Sequence, residues 1–304
     1  MARTGRYVIK GLFVLVLLAV VLIATCNDVR VRRRTQAVAW KVSGSLPYVQ
    51  WSELLKALLP SRLRSNDLPR GYYVRVKSRG EEPCSVLWET PEGDFWGQED
   101  DDITLQDPRH LERYERGPVT IRSGDVVIDV GSQIGTFTRM ALGKGASRVI
   151  AIEPDPTDNI CFKKTFQEEI TQGRVVLVEA ALWEDSGTTK FVVTSRSDAG
   201  EIASEFGHTW KAVRVVDVPT TTLDALVQRL NLPRVDFIKW AIGRATQPAL
   251  HGALQTLSRF RPRMAMTMVI DSPSDDPVVL PRLARQAVPT HHVFTCELMV
   301  AYFY

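Results

Sequence analysis

The chain has 304 residues, 44% hydrophobic and 24% charged, with 19 Gly and 17 Pro. That make-up excludes a collagenous or wholly disordered polymer and allows a sizeable core. With 38 basic against 35 acidic residues the net charge is only +3, which gives no footing for nucleic acid as a partner. The four cysteines, Cys26, Cys84, Cys161 and Cys296, are widely spaced. No Cys-x-x-Cys or Cys/His spacing marks a zinc site, no disulfide framework is expected, and a reducing compartment fits best.

From Gly11 to Asn27 the sequence GLFVLVLLAVVLIATCN is free of charge. A run of about 17 residues is near the lower limit for crossing a bilayer, and Lys10 can snorkel to lengthen it. Residues 1–28 therefore read first as an uncleaved single-pass membrane anchor. A cleaved or lipidated signal ending near Cys26 comes second and a buried core helix third. Arg3, Arg6 and Lys10 before the run and Arg30, Arg32, Arg33 and Arg34 after it nearly cancel in the positive-inside rule, so charge leaves the orientation open.

Residues 29–118 form a linker and a small β-rich lead-in. Trp51 to Leu59 has the pattern of a short amphipathic helix stopped by Pro60. Tyr72 to Val76 and Ser85 to Glu89 are predicted strands, and Thr90 to Asp94 is a turn before Phe95-Trp96. The acidic cluster Glu99 to Asp102 lacks the alternating ligands and closing Glu of a calcium loop and reads as a solvated turn.

In residues 119–304, short apolar runs alternate with helical stretches, the pattern of βα units around a parallel sheet. Strands are expected at Val126–Val130, Val149–Glu153, Val175–Glu179, Val235–Trp240, Met264–Ile270 and Met299–Phe303. Helices are expected at Thr136–Lys144, Pro156–Gln172, Thr222–Leu230, Pro248–Phe260 and Val278–Gln286. A strand pair, Lys190–Thr194 and Val213–Val218, is inserted after the third strand.

The stretch from Val126 to Thr138 carries the chemistry. A buried strand enters a turn containing Gly131 and Gly135 and then a helix, which turns backbone N–H groups toward the strand's C-terminal edge. Gly131 permits a tight turn and close approach to a ligand, and Gly135 permits the helix to pack close to the sheet. Gln133 and Thr136 break the G-x-G-x-x-G pattern of a nicotinamide site. About 20 residues past Gly131 the second strand ends in Ala151-Ile152-Glu153-Pro154, which places a carboxylate where such folds bind a ribose diol. Asp129 and Glu153 at the ends of successive strands suit S-adenosyl-L-methionine, with Glu153 on the ribose and the loop Gly131–Gly135 on the methionine portion.

Five segments appear in family order: Gly124 to Gly131, Ala151 to Pro154, Ala180-Ala181-Leu182-Trp183, Thr222-Leu223-Asp224 and Val235 to Lys239. Together, from about residue 110 to 304, they resemble the FkbM-type S-adenosylmethionine-dependent methyltransferases. The resemblance implies a Rossmann-like class I methyltransferase fold, with a seven-stranded, mostly parallel sheet whose last strand is antiparallel. It implies methyl transfer to a hydroxyl of a sugar or other small or glycan acceptor. Asp129, Gly131, Ser132, Gly135, Thr136, Glu153, Pro154 and Ala181 are the cofactor residues it suggests. A cofactor supplied in the cytoplasm places the domain there, behind its membrane anchor.

Where the family continues after its fourth-strand Lys with Asp-Ile-Glu-Gly-Ala-Glu, this chain reads Ala241-Ile242-Gly243-Arg244-Ala245-Thr246. The acids of the expected catalytic edge are missing, and Gln133 stands for the family's Asn. A methyl transfer of this kind needs alignment and removal of the acceptor's proton, so a lost base slows transfer without abolishing cofactor binding. A catalytically silent binding protein is the alternative reading. Candidate catalytic residues are Lys239, which either faces the acceptor or pairs with a carboxylate, and Asp271 after the fifth strand. His208, in a segment placed to act as a lid, is a further candidate base, and Trp240 reads as packing.

Overall fold

The computed structural model describes residues 72–101, 105, 109–194, 200–205, 211–267, 279–289, 293–296 and 300–304. Two compact units divide the chain, residues 1–65 with 295–298 and residues 66–294 with 299–304. The second holds nearly every described element. Among the described residues no helix is long and apolar enough to cross a membrane; the run Gly11–Asn27 lies outside them, as does the expected helix Trp51–Leu59.

The first described elements are three antiparallel strands, β1 (Arg75–Arg79), β2 (Val86–Thr90) and β3 (Gly93–Gly97). Alternation decides which face is buried: in β2 Val86, Trp88 and Thr90 point inward. That face packs on the helix α3 (Pro156–Thr165), where the backbone N–H of Trp96 donates to Thr165 Oγ1 at 2.9 Å. Lys164 Nζ lies 4.0 Å from the Trp96 ring centre. A disulfide joins Cys84, just before β2, to Cys161 within α3, across 77 residues of sequence. This corrects the expectation that the cysteines pair with nothing and removes the premise of a reducing compartment. Sequence spacing could not reveal the pair, because only the docking of the sheet on α3 brings the two residues together. Closing a loop of this length is worth about 4 kcal/mol in the chain-entropy account.

The acidic turn also differs from expectation. Residues Glu99–Asp101 make a 3-10 turn, and Asp101 is buried with Oδ2 accepting the Gln98 N–H at 2.6 Å. The turn is there and Glu99 is exposed as expected, but Asp101 is turned inward as a local cap.

The main sheet contains β4 (Val126–Val130), β5 (Arg148–Ile152), β6 (Val175–Val178), β11 (Phe237–Trp240), β12 (Arg263–Thr267), β13 (Val293–Cys296) and β14 (Val300–Phe303). Its order is β13-β14-β12-β11-β4-β5-β6. β12, β11, β4, β5 and β6 run parallel, and β14 is antiparallel to β12. Every residue of β4 and β11 is buried, as a central parallel strand covered on both faces requires. The expected strands are all present. The fourth begins at Phe237 rather than Val235, and residues 268–270 lie outside the described set.

Helices α1 (Arg109–Glu112), α2 (Thr136–Gly143), α4 (Gln167–Thr171), α5 (Leu223–Arg229), α6 (Thr246–His251), α7 (Leu254–Phe260) and α8 (Val279–Ala287) complete the α/β body. Two helices expected to be continuous are broken. The stretch from Pro156 splits at Phe166, which is fully buried against Phe162 with ring centres 4.5 Å apart. The stretch around Pro248 splits at Gly252, where a Cβ would stand 2.4 Å from the Trp183 carbonyl oxygen. In both places tertiary contact overrides helical pattern.

The inserted strands build a second sheet, β7 (Ala181–Leu182), β10 (Ala212–Thr221), β8 (Gly187–Thr194) and β9 (Glu201–Ile202), in that order. β8 and β10 pair antiparallel over their whole length, longer than the expected pair.

Gly135 does not serve sheet packing as expected. It has φ +93°, and a Cβ there would lie 2.2 Å from the Phe166 ring and 2.7 Å from Phe162. The glycine lets the start of α2 rest on those two rings. Gly135→Ala combines backbone strain with a clash against buried aromatics and should cost about 2–5 kcal/mol, measured as a drop in urea-unfolding stability.

Candidate active site

The parallel strands end together at one edge, and Glu153 follows β5 there. It is 5% exposed. Its Oε2 accepts the Gln133 N–H at 2.8 Å and its Oε1 the Asp155 N–H at 3.0 Å. Asp155 is readable in the sequence as the N-cap of α3: its Oδ1 accepts the Thr157 N–H at 2.8 Å, and Pro156 follows at the first helical position. Asn159 Nδ2 donates to the Glu153 carbonyl at 3.0 Å. The carboxylate is thus clamped from two elements, and each oxygen retains a second lone pair.

The glycine loop is arranged differently from expectation. The N–H groups of Gly131 and Ser132 both donate to the Ile152 carbonyl, and that of Gln133 goes to Glu153. These donors hold the loop to β5 instead of standing open to a ligand. Gln133 has φ +49°, a left-handed conformation uncommon for a residue with a side chain. Gly131, at φ +77°, cannot carry a side chain, since a Cβ would sit 2.2 Å from the Ala241 carbonyl oxygen. The Ser132 Oγ is buried and has no hydrogen-bond partner among the described residues. Thr136 opens α2 and, like Pro154, is half-buried at the same edge.

Asp129 and Lys239 face each other in the register of β4 and β11. Lys239 Nζ lies 3.0 Å from Asp129 Oδ1 and also donates to the Gly131 carbonyl, while Thr138 Oγ1 donates to Asp129 Oδ2 at 2.8 Å. Asp129 is fully buried and engaged within the protein. Burial alone would lower the Lys239 pKa, but the Asp129 charge, aided by Tyr114 and Glu153, outweighs it and holds the ammonium above its ordinary value. Of the two roles open to Lys239 in the sequence, the structure has the carboxylate pair. A cation held in this way has no lone pair to take an acceptor's proton. Tyr114 and Phe137 ring centres lie 5.6 and 5.9 Å from Nζ; Tyr114, remote in sequence from every motif, gave no signal.

The segment after β11 turns through Gly243 at φ +53° into a 3-10 turn, Gly243–Ala245. Ala245 belongs to an apolar cluster with Ala181, Phe191, Ile202 and Val218, and Ile242 packs against it. Ala181 therefore sits in the core under the second sheet, paired in register with Thr220. Trp240 is fully buried packing. Arg214 of β10 donates to Thr157 Oγ1 at 2.7 Å, which ties the second sheet to the start of α3 beside Glu153. Asp271 and His208 lie outside the described residues. No group of acids, histidines or cysteines among the described residues could hold a metal ion.

The acids of α3 were missed in the sequence. Asp158 is buried with Oδ1 unpartnered, and burial, reinforced by the charges of Glu153, Asp155, Asp101 and Asp100, holds its pKa well above the usual carboxylate range. Burial likewise pushes Glu153 up to about 7 from 4.5, against the downward pull of its two N–H donors. Between those values the folded state holds a proton that the unfolded chain has released. Stability therefore falls as pH rises through that window, by up to about 3 kcal/mol. Urea unfolding at pH 5 and pH 8 should show lower stability at pH 8. Glu153→Gln should narrow the difference, and Asp158, which has the same sign, should leave a remainder.

The sequence profile described as "Methyltransferase FkbM domain" matches residues 129–286. No curated protein matches the chain. A solved structure of methyltransferase FkbM from Methylobacillus flagellatus KT is 18% identical, over 66% of this chain and 51% of its own, with a TM-score of 0.44. This chain thus spans about half the length of that relative. Precorrin-6y C5,15-methyltransferase from Geobacter metallireducens GS-15 is 14% identical, over 67% of this chain and 92% of its own, with a TM-score of 0.36. A putative rRNA-methylase from Clostridium thermocellum is 9% identical, over 60% and 86%, with a TM-score of 0.33. The profile, which begins at Asp129 and takes in the glycine loop, Glu153 and the edge after β11, covers just over half of the sequence, and the chain belongs to the FkbM methyltransferase family.

Proposed function

We propose that the chain is an S-adenosyl-L-methionine-dependent methyltransferase acting on a hydroxyl of a sugar or other small or glycan acceptor, tethered to a membrane by the apolar run Gly11–Asn27. The observation that carries the cofactor reading is the clamped carboxylate of Glu153. Each oxygen spends one lone pair on a backbone N–H and has another for one hydroxyl of a ribose diol. The unpartnered Ser132 Oγ beside it is a further polar group suited to a ligand. When bound, the cofactor supplies a methyl on a positive sulfur that moves to an acceptor oxygen.

The chain's own residues then have separable roles. Glu153 orients the ribose, and the Gly131–Gly135 loop, pinned by Lys239 and the Ile152 carbonyl, shapes the floor. The acceptor's proton must leave, and Ala241, Gly243 and Thr246 offer no carboxylate to take it. That deficit, together with a Lys239 held as a cation, favours a second reading in which the cofactor binds and transfer is silent.

Titration calorimetry with the cofactor and its demethylated product tests the binding claim. Glu153→Ala should weaken either by about 10- to 100-fold, as the loss of charge-assisted bonds predicts. Wild-type affinity should rise with pH through about 7, since the ionised carboxylate is the better acceptor; an unchanged Kd on both counts would place the ribose elsewhere.

Transfer is tested by Ala241→Asp alone. Ala241 is half-exposed beside Gly131, whereas Gly243 at φ +53° would strain any side chain. A general base there should raise turnover on hydroxylated acceptors by about 10²- to 10⁴-fold. A folded variant that binds cofactor without any gain would favour the silent reading.

A further inference from the structure

We propose that the described domain lies on the oxidising, non-cytosolic side of the membrane that the apolar run Gly11–Asn27 would span. This rests on the tether proposed above but not on methyl transfer. The Cys84–Cys161 disulfide is built into the body of the fold: the two residues are 1% and 0% exposed, and they join the three-stranded sheet to the helix that follows Glu153. Around them the same interface is closed by the Trp96–Thr165 hydrogen bond and by Arg139, whose guanidinium lies 5.6 Å from the Phe95 ring and 4.5 Å from Phe166 while its Nη1 reaches Glu169 at 2.9 Å. Sealed in this way, the bond is out of reach of small thiols once made. It has to form as the chain folds, which requires a compartment where disulfides are donated.

The chemistry is an exchange. Two cysteine thiols give two electrons and two protons to the disulfide of a thiol–disulfide oxidoreductase, which leaves as a dithiol while the Cys84–Cys161 bond forms. Such donors work outside the cytosol. Charge at the ends of the apolar run leaves the side open, with Arg3, Arg6 and Lys10 before it nearly balanced by Arg30, Arg32, Arg33 and Arg34 after it. The argument from cofactor supply is weaker than the bond, because a small molecule can be carried across a membrane whereas a buried disulfide must be made where the chain folds.

The full chain, expressed in cells and quenched with N-ethylmaleimide before lysis, should yield a Cys84–Cys161 cross-linked peptide by mass spectrometry. In sealed vesicles with the cytosolic face outward, the domain should resist added protease until detergent is present. Recovery of Cys84 and Cys161 as alkylated thiols, or digestion of the domain without detergent, would overturn the proposal. Failure of the tether alone would appear as release by alkaline carbonate with the cross-link intact, which keeps the oxidising side and removes the membrane. The double variant Cys84→Ala/Cys161→Ala should lower Tm by about 5–15 °C.

Discussion

A lysine and an aspartate buried side by side in adjacent central strands govern the geometry of this domain. Neither Asp129 nor Lys239 has water to solvate it, so each charge depends on the other. Removing one would leave an uncompensated ion in the core, whereas the intact pair is tolerated because further hydrogen bonds satisfy it. Those bonds reach outward: Thr138 fixes α2 to Asp129, and the Gly131 carbonyl fixes the glycine loop to Lys239. The pair therefore sets the height of the loop above the sheet, and with it the position of everything at the C-terminal edge.

The neighbouring acids pull in the opposite direction. Glu153 and Asp158 are buried in a region already negative, which disfavours their charged forms. Two backbone donors offset part of that effect for Glu153, and Asp158 has one oxygen with no partner. Acids perturbed in this way cluster at functional sites more than at structural ones. The helix bearing Asp158 is also the one stapled by Cys161, so the least comfortable charges sit on the most firmly held element.

The second sheet covers part of the segment after β11. Its apolar cluster encloses Ala245 and packs on Ile242. The C-terminal edge thus joins polar clamps around Glu153 to an apolar surface around Ala245.

The sequence by itself determined the class of fold and the placing of the glycine loop and Glu153 at one sheet edge. Short apolar runs alternating with helical stretches mark a parallel sheet, Gly131 and Gly135 mark the turn between strand and helix, and Glu153 falls at a strand end by spacing. These are local or periodic signals, legible in one dimension. The tertiary structure decided what each group spends its bonds on. The glycine-loop donors went to β5, Gly135 to two phenylalanine rings, and Asp129 to Lys239, because a buried polar group takes whichever partner the packing brings near. The same holds for Cys84 and Cys161, Tyr114 and Asp158, whose roles come from contacts between segments far apart in sequence. No spacing rule records such contacts; they exist only once the chain has closed on itself.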